Sequence, residues 1–469
     1  MEESENPYER LFQKQQRQQY QLGNSKYKQR IQKLNALQEA LEVTYKAEIQ
    51  AALWADFKKP ALEVDLTEIY PVVAEIKYIK RNLKKWMRGK SVKSPMAMLG
   101  ASSKIHYEPK GVCLIISPWN FPINLSFGPL VAAIAAGNAV ILKPSEITQN
   151  ASSLIAKIVR DVFSEDEVAV LEGAVETATA LLKLPFNHIF FTGSPAVGKV
   201  VMAAAAKNLA SVTLELGGKS PVIIDRSADL RLAARRVAWG KLLNNGQICV
   251  APDYVLIHES LQEEFIDLYR AQIQYFYTDQ PKDSPDYSRI VSDKQFERIV
   301  NYIADAQQLG AVIRIGGNFD AHERYIAPTL VCDLPKTALL LKEEIFGPVL
   351  PLITFKNKEE VVDYIQAGAK PLALYIYAKD SERIDYYLRN TRAGGTVVNH
   401  NILHYSSPYL PFGGSNNSGI GKANGFYGFL AFSNERAFVK QYAGSPADML
   451  FPPYTSFKQR LINLTLKWF

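Results

Sequence analysis

From Gly111 onward the chain alternates short, continuously apolar runs with amphipathic segments, and no other feature restricts the fold as strongly. Val112–Ser117, Ala139–Lys143, Val168–Leu171, His188–Thr192 and Val212–Leu216 read as strands, with Leu125–Ala136, Ser152–Val162 and Val197–Lys207 as helices between them. A strand that is apolar on both faces has to be covered on both faces. The pattern therefore points to a parallel, doubly wound sheet with helices on each side. Alternation continues through Pro221–Ile224, Leu230–Leu243, Tyr254–His258, Leu261–Tyr275, Gln295–Leu309, Thr329–Asp333 and Val349–Phe355. A second α/β domain is expected to begin near Lys219, and 469 residues leave room for two or three domains.

The flanks read differently. Residues 7–58 are helical by the spacing of Ile31, Leu34, Leu37 and Leu41, and a further helix covers about 65–87 with Ile69, Val72, Val73, Ile76, Ile79 and Leu83 on its apolar face. Gly89, Pro95, Gly100 and Pro109 break 89–110 into short β-like runs, as in a hairpin or arm. Asn399 to about Gly425 is rich in Asn, Ser, Pro and Gly and reads as closing loops. In the tail, Phe457, Leu461, Leu464 and Trp468 share one helical face beside Lys458, Arg460 and Lys467. A helix docked on a partner subunit or across the substrate entrance is the favoured reading; weak contact with a membrane surface is the other.

Several classes are set aside. Net charge is 54 − 47 = +7, too mild to announce a nucleic-acid binder. Three cysteines, Cys113, Cys249 and Cys332, build no disulfide framework and suggest a reducing compartment, the cytoplasm. The opening Met1-Glu-Glu-Ser-Glu-Asn6 lacks the apolar run of a secretory leader, and no stretch approaches the roughly 18 apolar residues of a spanning helix. His400 and His404 lie four apart without the acid of a zinc-protease helix, so no metal site is expected.

Four segments carry candidate chemistry. Gly193-Ser-Pro-Ala-Val-Gly198-Lys199 matches seven positions of a phosphate-binding P-loop, but Val200 replaces the Ser or Thr that would hold magnesium. What survives is a strand-to-helix turn offering backbone N–H groups to a phosphate. Cys113 and Cys332 lie in apolar strands, whereas Cys249 follows the polar Asn244-Asn-Gly-Gln-Ile and is either a nucleophile or an inert loop thiol. Pro118-Trp119-Asn120-Phe121-Pro122 holds an amide that could serve as an oxyanion donor, or it is a structural turn. Glu215 sits at a strand's carboxyl end before Gly217-Gly218, where α/β sheets bind ligands, or it is a surface acid.

Taken in order, these segments resemble the aldehyde dehydrogenase superfamily over essentially the whole chain. The resemblance rests on Pro118–Pro122, Lys143-Pro-Ser-Glu146, Phe191-Thr-Gly-Ser194 with Gly198, Leu214–Lys219, Gly246-Gln-Ile-Cys249, Glu344-Ile-Phe-Gly-Pro348 and Pro411-Phe-Gly-Gly414. Cys249-Val-Ala-Pro-Asp-Tyr254 and the helical tail look like the class-three branch of fatty and aromatic aldehyde dehydrogenases.

That resemblance implies an α/β fold with a Rossmann-like NAD(P)-binding domain (1–88 and 108–218), a catalytic domain (219–398), a bridging β arm and closing loops (89–107 and 399–425) and a C-terminal tail (426–469). It makes Cys249 the nucleophile, Asn120 an oxyanion donor and Glu215 the general base that hydrolyses the thioester. For the cofactor it implies Gly193 and Ser194 at the pyrophosphate, Val197 against the adenine, and Lys143 and Glu146 at the adenosine ribose with Ser145 beside them. Glu344 and Phe346 would hold the nicotinamide ribose, the Leu216 carbonyl the carboxamide, and Trp119 would lie near the phosphates, with Gly198 packing helix on sheet. Phe121, Ile248 and Phe412 would line an apolar pocket for medium or long aliphatic, or aromatic, aldehydes. NAD preferred with NADP accepted, and a homodimer, complete the expectation. Pro195 and Ile248, where Thr is common, and Ala174, where Gly is, depart from the pattern. Because Cys249, Glu215 and Asn120 are all present, the alternative of an inactive protein reusing the fold loses its main support.

Overall fold

The five apolar runs become parallel neighbours in one sheet of the computed structural model, which describes residues 6–95, 98–442, 444–445, 448–449 and 451–468. Across that sheet the order is Gly419–Ile420, Ser211–Leu216, His188–Gly193, Val112–Ile116, Ala139–Lys143 and Val168–Val170, with only the first strand antiparallel. Every residue of Val112–Ile116 and Ala139–Lys143 is buried, as double coverage requires. The helix Pro122–Ala136, buried nearly all round, lies between this sheet and the N-terminal helices. Leu34 and Leu37 of Tyr27–Glu39, Ile76 and Ile79 of Tyr70–Met87, and Phe127 and Leu130 join one cluster there. Each such side chain contributes about 1.5–3 kcal/mol by leaving water.

After Leu216 the chain passes through Gly217–Ser220 and enters a second sheet at Pro221–Ile224. Its seven strands run Val312–Ile315, Thr329–Cys332, Val349–Phe355, Tyr254–His258, Pro221–Ile224, Ala373–Tyr377 and Gly395–Val398, all parallel except the first. The structure adds strands Ala373–Tyr377 and Gly395–Val398 and helix Lys358–Gln366, which the sequence pattern did not single out.

Lys90–Val92 and Ala101–Pro109 form an antiparallel hairpin, and Ser433–Gln441 pairs with the second strand over nine positions, from Ser433↔Pro109 to Gln441↔Ala101. This third strand lies in the stretch expected to be tail. Beyond it, Ser456–Trp468 is helical with Phe457, Leu464 and Leu466 exposed, while the side chain of Trp468 lies outside the described set. Among the described residues no helix is long and apolar enough to cross a membrane.

Gly137 ends the helix Pro122–Ala136 at φ +95°, the left-handed conformation that favours glycine. A Cβ there would stand 2.6 Å from the guanidinium of Arg30, which is buried and donates to the Ala135 and Gly23 carbonyls. Gly137→Ala should therefore lower stability by about 1–3 kcal/mol, read as a shifted urea midpoint with unchanged slope.

Candidate active site

Four adjacent strands of the first sheet deliver the sequence-predicted residues at their carboxyl ends. Glu215 is the last residue but one of Ser211–Leu216, Gly193 ends His188–Gly193, Asn120 follows Val112–Ile116, and Lys143 ends Ala139–Lys143. That edge of an open α/β sheet is where ligands bind. Asn120 lies in the turn before Pro122–Ala136 and is buried; one of its Nδ2 hydrogens goes to the Gln247 carbonyl at 3.0 Å. Its own carbonyl accepts from Asn244 Nδ2 at 2.9 Å and from Lys59 Nζ at 3.4 Å.

Cys249 arrives from the second domain. The helix Leu230–Leu242 gives way to Asn244, Asn245 and Gly246, three successive residues at positive φ. The reversal is tight: a Cβ on Gly246 would lie 2.3 Å from the Gly347 carbonyl oxygen. Gln247 locks the turn, donating to the Asn244 and Arg289 carbonyls and accepting from Val291 N–H, each at 3.0 Å. Glu63 accepts the Asn244 N–H at 2.8 Å from outside, and burial pushes its carboxyl up to about 7. The backbone N–H groups of Cys249 and Val250 both reach the Cys249 sulfur.

Cys249 and Glu215 line one cavity of about 90 Å³, walled by Leu125, Pro129, Ala132, Phe190, Phe412 and Phe432. Glu75 and Tyr405 also border it, and Glu75, accepting the Gly425 N–H at 2.6 Å, is pushed up to about 7 by burial. Both carboxyl oxygens of Glu215 are buried without a hydrogen-bond partner, and burial raises its pKa well above the ordinary range. Lys422, which donates to the Gly413 and Gly414 carbonyls, pulls weakly the other way. Cys249 keeps part of its surface open, yet burial, with Glu344 and Glu215 nearby, pushes its thiol up to about 12.

A larger cleft, about 1130 Å³, is lined by Ser194-Pro195-Ala196 together with Gly218, Lys219, Arg298 and Glu344. Ser194 caps the helix Pro195–Lys207. Glu344 reaches the Gly218 N–H, so closely that a Cβ on Gly217 would stand 2.2 Å from its carboxyl; burial pushes it up to about 8. Arg298 holds the Glu344 and Ile345 carbonyls at 3.1 and 2.8 Å, and Lys219 pairs with Asp253. Trp119 and Phe346 meet edge to face, centroids 5.3 Å apart.

The Aldehyde dehydrogenase family profile matches residues 2–438. The chain is 44% identical over 437 residues to a putative aldehyde dehydrogenase, AldX, of Bacillus subtilis, covering 93% of this chain and 98% of that one. It is 41% identical over 431 residues to aldehyde dehydrogenase family 3 member A2 of Macaca fascicularis, covering 92% and 88%. Among solved structures, the substrate-bound state of Staphylococcus aureus AldH superposes with TM-score 0.94 at 37% identity, covering 98% of this chain and 99% of that one. The chain belongs to the aldehyde dehydrogenase family, in its class-three branch. Its reaction is NAD(P)-dependent oxidation of an aldehyde.

This aldehyde dehydrogenase has the donor set an NAD(P) molecule needs. The capped helix start at Ser194 suits a phosphate. Glu344 feels the charges of Lys219 and Arg298 but forms no ion pair with either among the described residues, so its carboxyl has hydrogen-bonding capacity left for a ribose diol. Lys143 and Glu146 pair at 2.7 Å one strand over, with Ser145 between them, outside the wall of the large cleft. Gly193 packs its bare Cα against the Phe191 ring, Gly198 against the Leu216 side chain, and Val197 is half exposed on the helix's first turn. Of the three pocket residues read from sequence, Phe412 borders the small cavity; Phe121 and Ile248 are buried in the second domain's core outside its wall. Lys59, Glu63 and Glu68 were missed by the sequence reading, since charged residues outside a motif look like surface; Asn244 and Gln247 were named only as part of the polar run before Cys249, without a role.

A carboxyl whose native pKa is raised holds its proton where the unfolded chain has lost it, so it destabilises the fold progressively above the unfolded value near 4.5. Glu215→Gln should therefore raise the urea midpoint at pH 8, with the gain shrinking to nothing as pH falls towards 4.5. A gain that is the same at both pH values would contradict the burial of a protonated Glu215.

Proposed function

We propose that this enzyme oxidises medium- and long-chain aliphatic, or aromatic, aldehydes to carboxylic acids through a covalent adduct on Cys249. The observation that carries the reading is that Cys249 and Glu215 border one largely apolar cavity, while Ser194 and Glu344 line a separate, larger cleft. The Cys249 sulfur attacks the carbonyl carbon as thiolate. The oxygen then gathers charge within reach of the Asn120 amide, whose second N–H has no partner among the described residues, and of the Cys249 backbone N–H. When bound, the nicotinamide supplies the acceptor for the hydride. The oxidised adduct is a thioester, and Glu215 takes a proton from water so that its oxygen attacks the acyl carbon and Cys249 leaves. Glu215 does this only in its ionised form, the minor one while its pKa is raised, and in that form a raised pKa makes it the stronger base.

Lys143, Ser145 and Glu146 would face the adenosine ribose, Gly193, Ser194, Val197 and Gly198 the pyrophosphate and adenine with Trp119 near the phosphates, and Leu216, Glu344 and Phe346 the nicotinamide half. A Glu146 carboxylate beside the 2′-hydroxyl favours NAD; Lys143, bonded to it, softens the repulsion of a 2′-phosphate and lets NADP bind. Phe412, with the apolar walls around it, favours hydrocarbon substrates, and Phe121 and Ile248 support that wall from behind.

The enzyme works as a homodimer in the cytoplasm. Support comes from the Ser433–Gln441 strand, whose outer edge is open and which exposes Phe438 and Val439. The tail helix, with Phe457, Leu464 and Leu466 exposed, docks on the partner or across the entrance in this reading, a membrane surface being the weaker occupant.

Reduced-cofactor production from a graded series of aldehydes, with NAD and NADP in parallel, tests this. kcat/KM should rise from short to medium and long chains, be higher with NAD, and vanish in Cys249→Ala. Preference for small charged semialdehydes, or turnover surviving in Cys249→Ala, would overturn it.

A further inference from the structure

We propose that the Lys59–Glu68 pair positions the Asn120 amide for its work on the carbonyl, an inference that rests on Asn120 acting as an oxyanion donor. Both side chains are fully buried and pair at 2.7 Å. The second Glu68 oxygen accepts the N–H groups of Ile123 and Asn124 at 3.1 and 3.0 Å, at the unsatisfied start of the helix Pro122–Ala136. Lys59 Nζ lies 3.4 Å from the Asn120 carbonyl oxygen and 4.1 Å from the centre of the Phe121 ring. Two side chains thus hold positions 120, 121, 123 and 124 at once, and both come from the N-terminal region rather than from either loop of the site.

Stability alone is a poor reason for such a pair. Two buried charges lose hydration that their attraction barely returns, and apolar side chains of the same volume often serve a fold as well. What the ions supply here is direction. Glu68 fixes where the helix begins, and Lys59 fixes how the preceding peptide is turned. Asn244 Nδ2 and the Gln247 carbonyl then set the Asn120 side chain from the Cys249 side, leaving one amide N–H for a ligand. Lys59 and Glu68 touch no reacting atom; they act through Asn120.

The test separates that role from general support. The full-length variant Lys59→Met/Glu68→Gln removes both charges of the pair together, and Glu63, on which both act, keeps its hydrogen bond from the Asn244 N–H. Acylation of Cys249 by 4-nitrophenyl acetate needs an oxyanion site but no cofactor; alkylation by iodoacetamide needs neither. Acylation should fall about 10- to 100-fold in the pair variant, with alkylation within about twofold of the parent. In an Asn120→Ala background the pair variant should cause no further loss of acylation. If the pair variant does not fold, Glu68→Gln alone, whose one remaining oxygen can still accept the Ile123 and Asn124 N–H groups, goes through the same cycle. Equal losses with and without Asn120, alkylation falling in step with acylation, or acylation unchanged in the pair variant would overturn the positioning role. Acylation unchanged in Asn120→Ala would instead sink the oxyanion assignment itself, and this proposal with it.

Discussion

One hydrogen bond joins the two halves of the chemistry: the Asn120 amide to the Gln247 carbonyl, 3.0 Å. Asn120 belongs to a turn after a strand of the first sheet, and Gln247 to a turn before Cys249 in the second domain. Neither turn is regular structure, so neither has a ladder to hold it. Both are fixed by buried polar contacts: Asn244 to Asn120, Gln247 to Arg289 and Val291, Glu63 to Asn244. Each buried donor or acceptor left unmatched would cost about 1–3 kcal/mol, so the turns have few alternative shapes. The placement of Cys249 relative to the Asn120 amide is thereby set by protein rather than by a bound ligand.

The same burial creates the site's electrostatic character. Glu215 and Glu344 and the Cys249 thiol are all driven towards their neutral forms, chiefly by desolvation. Three neutral groups coexist at close quarters where three anions would repel. The Cys249 thiol therefore needs help to ionise: two backbone N–H groups already reach its sulfur. Among the described residues Glu215 has no hydrogen-bond partner to hold it in one orientation, which suits the role of general base proposed for it.

Sequence made the sheets and the reactive residues legible for different reasons. The strands showed because parallel strands buried on both faces must be apolar throughout, as Val112–Ile116 is. Cys249, Glu215 and Asn120 showed because motifs in a fixed order accompany them. Ser433–Gln441 did not show: eight of its nine residues are exposed, so it carries no apolar alternation, and only its partner Ala101–Pro109 makes it a strand. Lys59, Glu63 and Glu68 were invisible for a related reason. Charged residues on a helical stretch signal solvent, and nothing local reveals that Asn120 and Asn244 lie above them. Phe121 and Ile248 border the reactive residues in sequence, but the turns that present Asn120 and Cys249 send these neighbours into the core.

The central claim is that Cys249 carries the acyl group and Glu215 releases it. The direct measurement is mass spectrometry of the Glu215→Gln enzyme after mixing with a medium-chain aldehyde and NAD. The account predicts that the peptide containing Cys249 gains the mass of one acyl group in place of a hydrogen, and that free acid forms slowly. Unmodified Cys249 with acid released at the parent's rate, or an acyl group on any other residue, would contradict it.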